Sequence, residues 1–257
     1  MKIAFCFCGA IRTGVYASPN IINFIGELFP NTDFFIHTWN KNLFKDRSKE
    51  SFKGRYFPFK THNINNSIYD IDKCFNKKII SSEIENFDIW NERLGKHYNF
   101  SPQWYSWYKV NNLKKQHENI NNFKYDIVIK TRLDCIIHPT SKLATEIEHV
   151  SQNLNTFYSQ GVTDHRINDV FFMASSTVMD VASNFIVDTS CRDWYNDVFG
   201  DYLKSKNITV KNTHLNTYAI YRPESIPIDP VTNFKQCFND DHDWYSIMHD
   251  NIRKQLL

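Results

Sequence analysis

The first forty residues contain a strand, a helix and a second strand, and this pattern constrains the fold more than any other part of the sequence. The uninterrupted apolar run over 3–8 is typical of a buried strand. Ser18 and Pro19 provide an N-cap and a first helical residue, and Pro30 ends the apolar helical repeat that follows them. Residues 33–39 then read as a second strand. A βαβ unit of this kind predicts a parallel sheet with a right-handed crossover.

Further along the chain, helical and strand patterns alternate, as they do in α/β proteins. Ser101 and Pro102 begin a second predicted helix, whose residues Trp104 and Trp107 fall on one face and are expected in the core. The remaining predicted elements are a strand over 124–137, a strand over 168–176, a helix over 177–186, a helix over 198–206 and a short strand over 208–210. Between 41 and 100 the pattern weakens, and the sequence predicts loops and short elements there.

Size and composition indicate one α/β domain large enough for an enzyme. The chain has 257 residues, of which 42% are hydrophobic, so it can bury a full core. We predict a domain over 1–222 with a variable insertion at about 41–100, followed by a tail over 223–257 that wraps the surface. The net charge of +2 argues against a general nucleic-acid binder. The locally basic segment 41–60 is interpreted as a solvated loop, with a phosphate-bearing or membrane-surface partner as the alternative.

The cysteines and the first residues bear on the compartment of the protein. The six cysteines include no CxxC pair and no zinc-like histidine spacing, so we expect buried thiols in a reducing compartment. The apolar run after Lys2 could imitate a secretion signal, but Arg12 interrupts it early and a buried first strand has the same pattern. No segment approaches the roughly 20 apolar residues that cross a bilayer. The sequence therefore predicts a soluble, cytoplasmic protein, with peripheral contact at the inner face of a membrane left open.

The predicted strand over 124–137, KYDIVIKTRLDCII, carries charge where a buried strand is otherwise apolar. Arg132 and Asp134 are two residues apart and therefore project to the same side of the strand. Charge is costly inside a parallel sheet, but the cost falls at the carboxyl end of a strand, where open α/β sheets bind ligands. The two residues indicate either a ligand that carries phosphates, with a metal or sugar hydroxyls, or a structural salt bridge at the end of the sheet.

Five segments follow one another in an informative order. They are the first strand with its turn Gly9 to Arg12, the strand end Ile36 to Trp39, the helix Gln103 to Leu113, the charged strand Tyr125 to Asp134, and Asn168 to Ser176 leading to Met179. In this order and spacing the chain resembles the GT-A-type glycosyltransferases of bacterial and viral polysaccharide or lipopolysaccharide biosynthesis. The resemblance covers roughly residues 3–186. It implies a GT-A-like, Rossmann-type α/β fold with a mixed, mostly parallel sheet flanked by helices.

The resemblance implies a divalent metal at the end of the charged strand. GT-A enzymes carry an Asp-x-Asp motif there, whose carboxylates hold Mn²⁺ or Mg²⁺ against the donor diphosphate. In this chain Arg132 takes the place of the first Asp, so the motif is degenerate and Asp134 is the remaining carboxylate. Asp134 could hold the metal with a second ligand such as His214. Alternatively Arg132, together with Arg12, supplies the counter-charge without a metal; metal dependence is the favoured hypothesis.

The resemblance also implies positions for the donor nucleotide and for a catalytic base. Gly9, Ala10, Arg12 and Thr13 are expected beside the donor, the alternative being a tight turn with a surface arginine. Asp169 is the first candidate for the base that takes the proton of the acceptor hydroxyl, the alternative being a turn residue bonded to the local backbone. Further side chains that could contribute are Asp164, His165, Asp197 and Asp201.

The favoured function is transfer of a sugar from a nucleotide-sugar donor to a hydroxyl of a glycan acceptor, in surface polysaccharide or viral or bacterial glycan synthesis. A catalytically silent nucleotide- or sugar-binding protein of the same fold is the alternative. A third class, another nucleotide-dependent transferase or a phosphate-ester hydrolase, usually displays GxxxxGK with Ser or Thr, GxGxxG or GxSxG, and the sequence contains none of these. Acceptor specificity is expected from 41–100 and from the loop over 155–169.

Overall fold

The computed structural model describes residues 1–10, 22, 25–40, 79–95, 101–133, 135–137, 141–160, 162, 167–189, 195–213 and 218–220. Within them the strands are β1 Ile3–Cys8, β2 Thr32–Trp39, β3 Ile79–Glu85, β4 Ile127–Arg132, β5 Cys135–Ile137, β6 Thr156–Ser159, β7 Phe171–Ala174, β8 Thr209–Asn212 and β9 Tyr218–Ile220. The helices are α1 Phe87–Trp90, followed by a π-helical turn Asn91–Gly95, then α2 Pro102–Ile120, α3 Ser141–Gln152, α4 Ser176–Ser183, α5 Phe185–Asp188 and α6 Tyr195–Ser205. Residues 22 and 25–28 are also helical, inside the helix predicted before Pro30.

Seven strands form one sheet in the order β3-β2-β1-β4-β7-β6-β8. The first four are mutually parallel, β7 runs antiparallel to both of its neighbours, and β6 and β8 are parallel. β5 and β9 form a separate antiparallel pair. The predicted α/β class, with a mixed and mostly parallel sheet flanked by helices, is therefore confirmed.

β1 is the central strand of the parallel half, and all six of its side chains are fully buried. Its odd-numbered residues lie in one apolar cluster and its even-numbered residues in a second one, because successive side chains of a strand point to opposite faces. Cys6 and Cys8 belong to the second cluster and, like Cys135, are buried free thiols, as predicted. Burial raises the pKa of Cys6, which keeps this thiol protonated and inert.

Helices cover both faces of the sheet. Ile22, Ile25 and the apolar residues of α3 pack on the face that contains Phe5 and Phe7. The opposite face is covered by α2, α4, α5 and α6, which contribute Trp104, Trp107, Val178, Phe185 and Phe199 to the second cluster. The aromatic stripe of α2 is thus core, as its helical spacing predicts. None of the helices in the described ranges has the length and hydropathy needed to cross a membrane.

The prediction of one continuous strand over 124–137 was wrong. β4 ends at Arg132, Leu133 lies in a turn, and β5 pairs with β9 outside the main sheet. The physical reason lies in β1, whose last residue, Cys8, stands opposite Arg132. β1 ends at this position, so the residues after Arg132 cannot continue the pairing with β1, and β5 pairs with β9 instead.

Several elements, β9 among them, were not predicted from the sequence. The region 41–100 was assigned to loops and short elements, but β3 is a seven-residue parallel strand at the edge of the sheet. Its side chains are half-buried or exposed, so no buried apolar run marks it. α3 and β6 also went unpredicted, although Leu143, Ile147 and Val150 of α3 have the spacing of an apolar helical face.

A buried ion network holds α2 against α4. The Lys114 ammonium, fully buried, lies 3.0 Å from Glu118 Oε2, 2.7 Å from Asp180 Oδ1 and 2.6 Å from Ser176 Oγ. Glu118 also accepts a hydrogen bond from the Tyr125 backbone N–H at 2.9 Å, which ties the network to the approach to β4. Burial alone would raise the pKa of Asp180, but the charge and hydrogen bonds of Lys114 and the bond from Asn111 outweigh it and lower that pKa.

Replacing Lys114 by Met should cost about 3 kcal/mol or more of unfolding free energy, because it leaves buried carboxylates without their central cation. The matched control is Lys204→Met, since the Lys204–Asp201 pair is largely exposed and such pairs contribute at most about 1 kcal/mol. Urea unfolding of both variants measures the difference. Equal losses in the two variants would contradict a central role for the buried network.

Candidate active site

The order of the strands places a topological switch point at the carboxyl ends of β1 and β4. From β1 the chain passes to β2 and β3 on one side and then returns to place β4 on the other side of β1. In open α/β sheets such a switch point opens the crevice where ligands bind. The register sets Glu83, His37, Cys8 and Arg132 in one row across the four carboxyl ends, from β3 to β4. We call the space beside Cys8 and Arg132 the β1/β4 crevice.

Gly9 turns the chain at the edge of this crevice. Its φ of 100° lies in the region that side chains disfavour, and a Cβ at this position would approach Gln103 Oε1 to 2.5 Å. Gln103 in turn donates from Nε2 to Cys8 Sγ at 3.4 Å. The first turn therefore needs glycine both for its backbone conformation and for the close approach of α2.

Ser106 of α2 joins the ends of β1 and β2. Its Oγ accepts a hydrogen bond from the Gly9 N–H at 2.7 Å and donates to the His37 carbonyl at 3.0 Å. The same Oγ lies 2.8 Å from His37 Nδ1. The Ser106 hydroxyl has a single hydrogen, which is assigned to the bond with the His37 carbonyl. His37 Nδ1 then carries the ring hydrogen and donates to Ser106 Oγ, so that the Gly9 N–H, the His37 carbonyl and His37 Nδ1 all have partners.

On the other side of His37 lies an acidic cluster formed by Glu83 and Glu85. The Lys109 ammonium lies 2.9 Å from Glu83 Oε1 and 2.7 Å from Glu85 Oε1, and the Tyr105 hydroxyl donates to Glu85 at 3.1 Å. His37 Nε2 is 3.5 Å from Glu85 Oε1 and has no hydrogen-bond partner. Burial lowers the pKa of His37 because the nearby carboxylate offsets only part of the desolvation. The ring is therefore neutral near pH 7.

Potential ligand atoms of His37, Glu83 and Glu85 all lie within 4.8 Å of one another. Among the residues that the structure describes, this is the group of histidine, cysteine and carboxylate side chains with the spacing of metal ligands. Sequence reasoning placed the metal elsewhere, on Asp134 and His214, and neither residue lies within the described ranges.

Lys130 connects β4 to the chain before β7. Its side chain is fully buried on the same side of β4 as Arg132, its ammonium lies 4.4 Å from the centre of the Phe172 ring, and it donates to the backbone carbonyl of Asp169. Burial lowers the pKa of Lys130. The antiparallel register pairs Thr131 with Phe171, so its continuation by two residues sets Asp169 opposite Leu133. Asp169 therefore lies just beyond the carboxyl end of β4.

Four of the residues predicted for the donor, the metal and the base are described, and all four belong to this edge of the sheet. Gly9 and Ala10 follow β1, Arg132 ends β4 half-buried, and Asp169 is half-buried beside the end of β4. The further candidates Asp197 and Asp201 lie instead on α6, where Asp201 is exposed beside Lys204. Arg12, Thr13, Asp134 and His214 lie outside the described residues, as do Asp164, His165 and the basic segment 41–60.

Sequence reasoning missed Gln103, Ser106 and the acidic cluster. The signal for the first two was present, because polar residues three apart among the tryptophans of α2 share the face that packs on the sheet. The cluster left no such signal. Glu83 and Glu85 lie on β3, a strand that was not recognised. The residues that they face, His37 and Lys109, lie on β2 and α2.

No family model matches the chain, and no curated protein matches it. The galactosyltransferase LgtC, solved with donor and acceptor sugar analogues, aligns over 82% of this chain and 73% of its own, with 10% identity and a TM-score of 0.41. HddC from Yersinia pseudotuberculosis aligns over 93% of this chain and 99% of its own, with 10% identity and a TM-score of 0.42. The inositol-1-phosphate CTP transferase from T. maritima aligns over 83% of this chain and 85% of its own, with 11% identity and a TM-score of 0.38.

Replacing Ser106 by Ala should lower the unfolding free energy by about 1–3 kcal/mol, because the Gly9 N–H and the His37 ring nitrogen lose their buried partner. Ser205→Ala is the control, since this exposed serine bonds only a carbonyl of its own helix region, at 2.7 Å. Thermal or urea unfolding compares the two. A loss in Ser106→Ala no larger than that of the control would show that the hydroxyl does not hold the turn.

Proposed function

We propose that the chain is a glycosyltransferase that moves a sugar from a nucleotide-sugar donor to a hydroxyl of a glycan acceptor. The observation that carries the proposal is the β1/β4 crevice, where a glycine turn and an arginine end adjacent parallel strands. The switch point of an open α/β sheet is where such folds bind nucleotides. The order of segments, which resembles the GT-A glycosyltransferases, agrees with this use of the crevice.

The donor diphosphate would lie across the ends of β1 and β4. Gly9 and Ala10 are proposed to line the donor site through the turn they form, in which the Gly9 N–H bonds Ser106 Oγ and Gln103 occupies the space beside the Gly9 Cα. Arg132 supplies a planar guanidinium that matches phosphate oxygens. Arg12 and Thr13, which continue the same turn in sequence, are proposed as further contacts to the nucleotide.

A divalent metal, Mn²⁺ or Mg²⁺, is proposed at the end of β4 with Asp134 as its protein carboxylate and His214 as a second ligand. When bound, such an ion would neutralise charge on the departing nucleoside diphosphate. Arg132 would contribute positive charge at the same place whether or not a metal is bound. The resemblance to the GT-A family and the position of Asp134 two residues after Arg132 support this assignment.

Asp169 is proposed as the base that activates the acceptor. Its carboxylate would take the proton of the acceptor hydroxyl while the hydroxyl oxygen forms a bond to the anomeric carbon of the donor sugar. The bond from that carbon to the diphosphate breaks, and its electron pair leaves with the nucleoside diphosphate. The position beside the end of β4, held by Lys130 through the backbone carbonyl, supports this role.

The acceptor is proposed to be a growing surface polysaccharide or a viral or bacterial glycan. The insertion at 41–100 and the segment 160–169, which is the part of the predicted loop that follows β6, are proposed to select it. A cytoplasmic enzyme that meets its acceptor at the inner face of a membrane fits this proposal.

A panel of UDP-, GDP-, CMP- and dTDP-sugars, with and without Mn²⁺, should contain a donor that raises the Tm of the full chain. Native-state binding at 100 times Kd stabilises by about 2.7 kcal/mol, which corresponds to roughly 5–10 °C for a chain of this size. Release of nucleoside diphosphate in the presence of mono- and disaccharide acceptors then measures turnover. Binding without turnover would favour the silent binder, and no response to any nucleotide would overturn the proposal.

Two variants test how the diphosphate is held. Arg132→Met should weaken donor binding at least about tenfold, because a charge-assisted hydrogen bond contributes about 1.5–3 kcal/mol. Arg93→Met is the control, since Arg93 is exposed in the π-helical turn that follows β3 and α1, and β3 is three strands away from β4. Asp134→Ala should abolish the part of the stabilisation that depends on Mn²⁺. Stabilisation that is independent of Mn²⁺ and of Asp134 would assign the counter-charge to the arginines instead.

A further inference from the structure

We propose that His37, Glu83 and Glu85 form a divalent-metal site of the one-imidazole, two-carboxylate type, separate from the β1/β4 crevice. The site lies at the carboxyl ends of β2 and β3 and uses none of the residues assigned to the donor or the acceptor. Three independent observations carry it: an unpartnered buried ring nitrogen, the distances between the ligand atoms, and the charge balance of the cluster.

The first observation is His37 Nε2, a fully buried nitrogen with no hydrogen-bond partner. Its ring is held by the hydrogen bond between Nδ1 and Ser106 Oγ, and with the ring hydrogen assigned to Nδ1 the Nε2 lone pair faces the two carboxylates. A buried acceptor facing negative charge is unfavourable, whereas the same arrangement is typical of a metal-binding histidine whose other nitrogen donates to a neighbour.

The second observation is the spacing of the ligand atoms. His37 Nε2 and Glu85 Oε1 are 3.5 Å apart, which is too long for a strong hydrogen bond. Metal–nitrogen and metal–oxygen bonds of about 2.0–2.2 Å in a tetrahedral site set neighbouring ligands about 3.3–3.6 Å apart. The third ligand atom, from Glu83, lies within 4.8 Å of both. A small rotation of a half-exposed glutamate is enough to complete the site.

The third observation is charge. Glu83 and Glu85 carry two negative charges and Lys109 one positive charge, so the cluster holds a net charge of −1 around the Nε2 lone pair. A divalent cation in place of the ammonium would make the cluster neutral and would also satisfy Nε2. The Lys109 side chain is 25% exposed, which gives its ammonium a path into solvent. Lys109 therefore acts as a competing cation that holds the carboxylates together when no metal is bound.

The ligand set indicates the metal. One imidazole and two carboxylates suit Zn²⁺ best among common divalent ions, whereas oxygen-only sites suit Mg²⁺ and Ca²⁺. Three protein ligands leave a fourth position for water. The Tyr105 hydroxyl, which donates to both oxygens of Glu85 at 3.1 Å, orients that carboxylate as a supporting residue.

Equilibrium dialysis of the chelator-treated full chain against Zn²⁺, without nucleotide, tests the site. Wild type should bind one equivalent that His37→Gln and Glu83→Gln weaken at least about tenfold, the scale on which losing a metal contact lowers affinity. Lys109→Met should bind more tightly than wild type, since the competing ammonium is gone. His149→Gln, an exposed histidine on α3, is the matched control and should leave binding unchanged.

Co²⁺ in place of Zn²⁺ gives a visible spectrum that reports the coordination geometry. Wild type and Lys109→Met should show the intense bands of a tetrahedral site, and His37→Gln should lose them. Circular dichroism checks that each variant is folded, and Glu83→Gln serves if His37→Gln is not, because the Glu83 side chain is 34% exposed. Equal binding in wild type, His37→Gln and Glu83→Gln, or no binding in wild type and Lys109→Met, would overturn the site. Since no nucleotide is present, either result leaves the glycosyltransferase proposal to its own test.

Discussion

The hydroxyl of Ser106 is the contact on which the carboxyl edge of the sheet depends. It is one buried group that meets the end of β1, through the Gly9 N–H, and the end of β2, through both the carbonyl and the ring of His37. The tryptophans on either side of it in the chain, Trp104 and Trp107, are buried in the second apolar cluster. The apolar stripe of α2 thus supplies the packing energy, and a single polar residue within it sets the position of the first turn and of the His37 ring.

The buried titratable side chains Lys114 and His37 differ in whether their polar atoms have partners. Lys114 at the middle of the α2–α4 contact has three partners, two of them carboxylates, and stabilises the fold. His37 at the carboxyl edge has a ring nitrogen with none. This nitrogen is one of ten buried side-chain atoms without a hydrogen-bond partner in the described residues, and its place beside Glu83 and Glu85 is what the proposed metal site uses. Lys114, which has its partners within the fold, has a structural role, although the two residues are equally buried.

The sequence predicts the elements with the longest apolar runs or stripes and fails for shorter or half-buried ones, such as the four-residue strand β6 and the edge strand β3. β1, β2 and α2 were predicted because a continuous apolar run or an aromatic helical stripe leaves few alternatives. β3 was missed because an edge strand with serines and glutamates lacks such a run. The break after Arg132 was also missed, since its cause is the length of β1, a neighbouring strand more than a hundred positions earlier in the chain. Gly9 and Arg132 could be predicted because each follows or ends a recognised strand, whereas the cluster of His37, Glu83 and Glu85 required the register of β2 against β3, a strand that was not recognised.

The strand spacing decides how the two proposed centres relate. Neighbouring strands are about 4.8 Å apart, so His37 on β2 and Arg132 on β4, with Cys8 between them, are separated by roughly 10 Å. The two proposed centres therefore stand on the two strands that flank β1. A ligand that engages both must be extended along the edge of the sheet, with its anionic part at β4 and another oxygen-bearing part at β2. The row from Glu83 to Arg132 thus changes from acidic to basic along the carboxyl edge of the sheet.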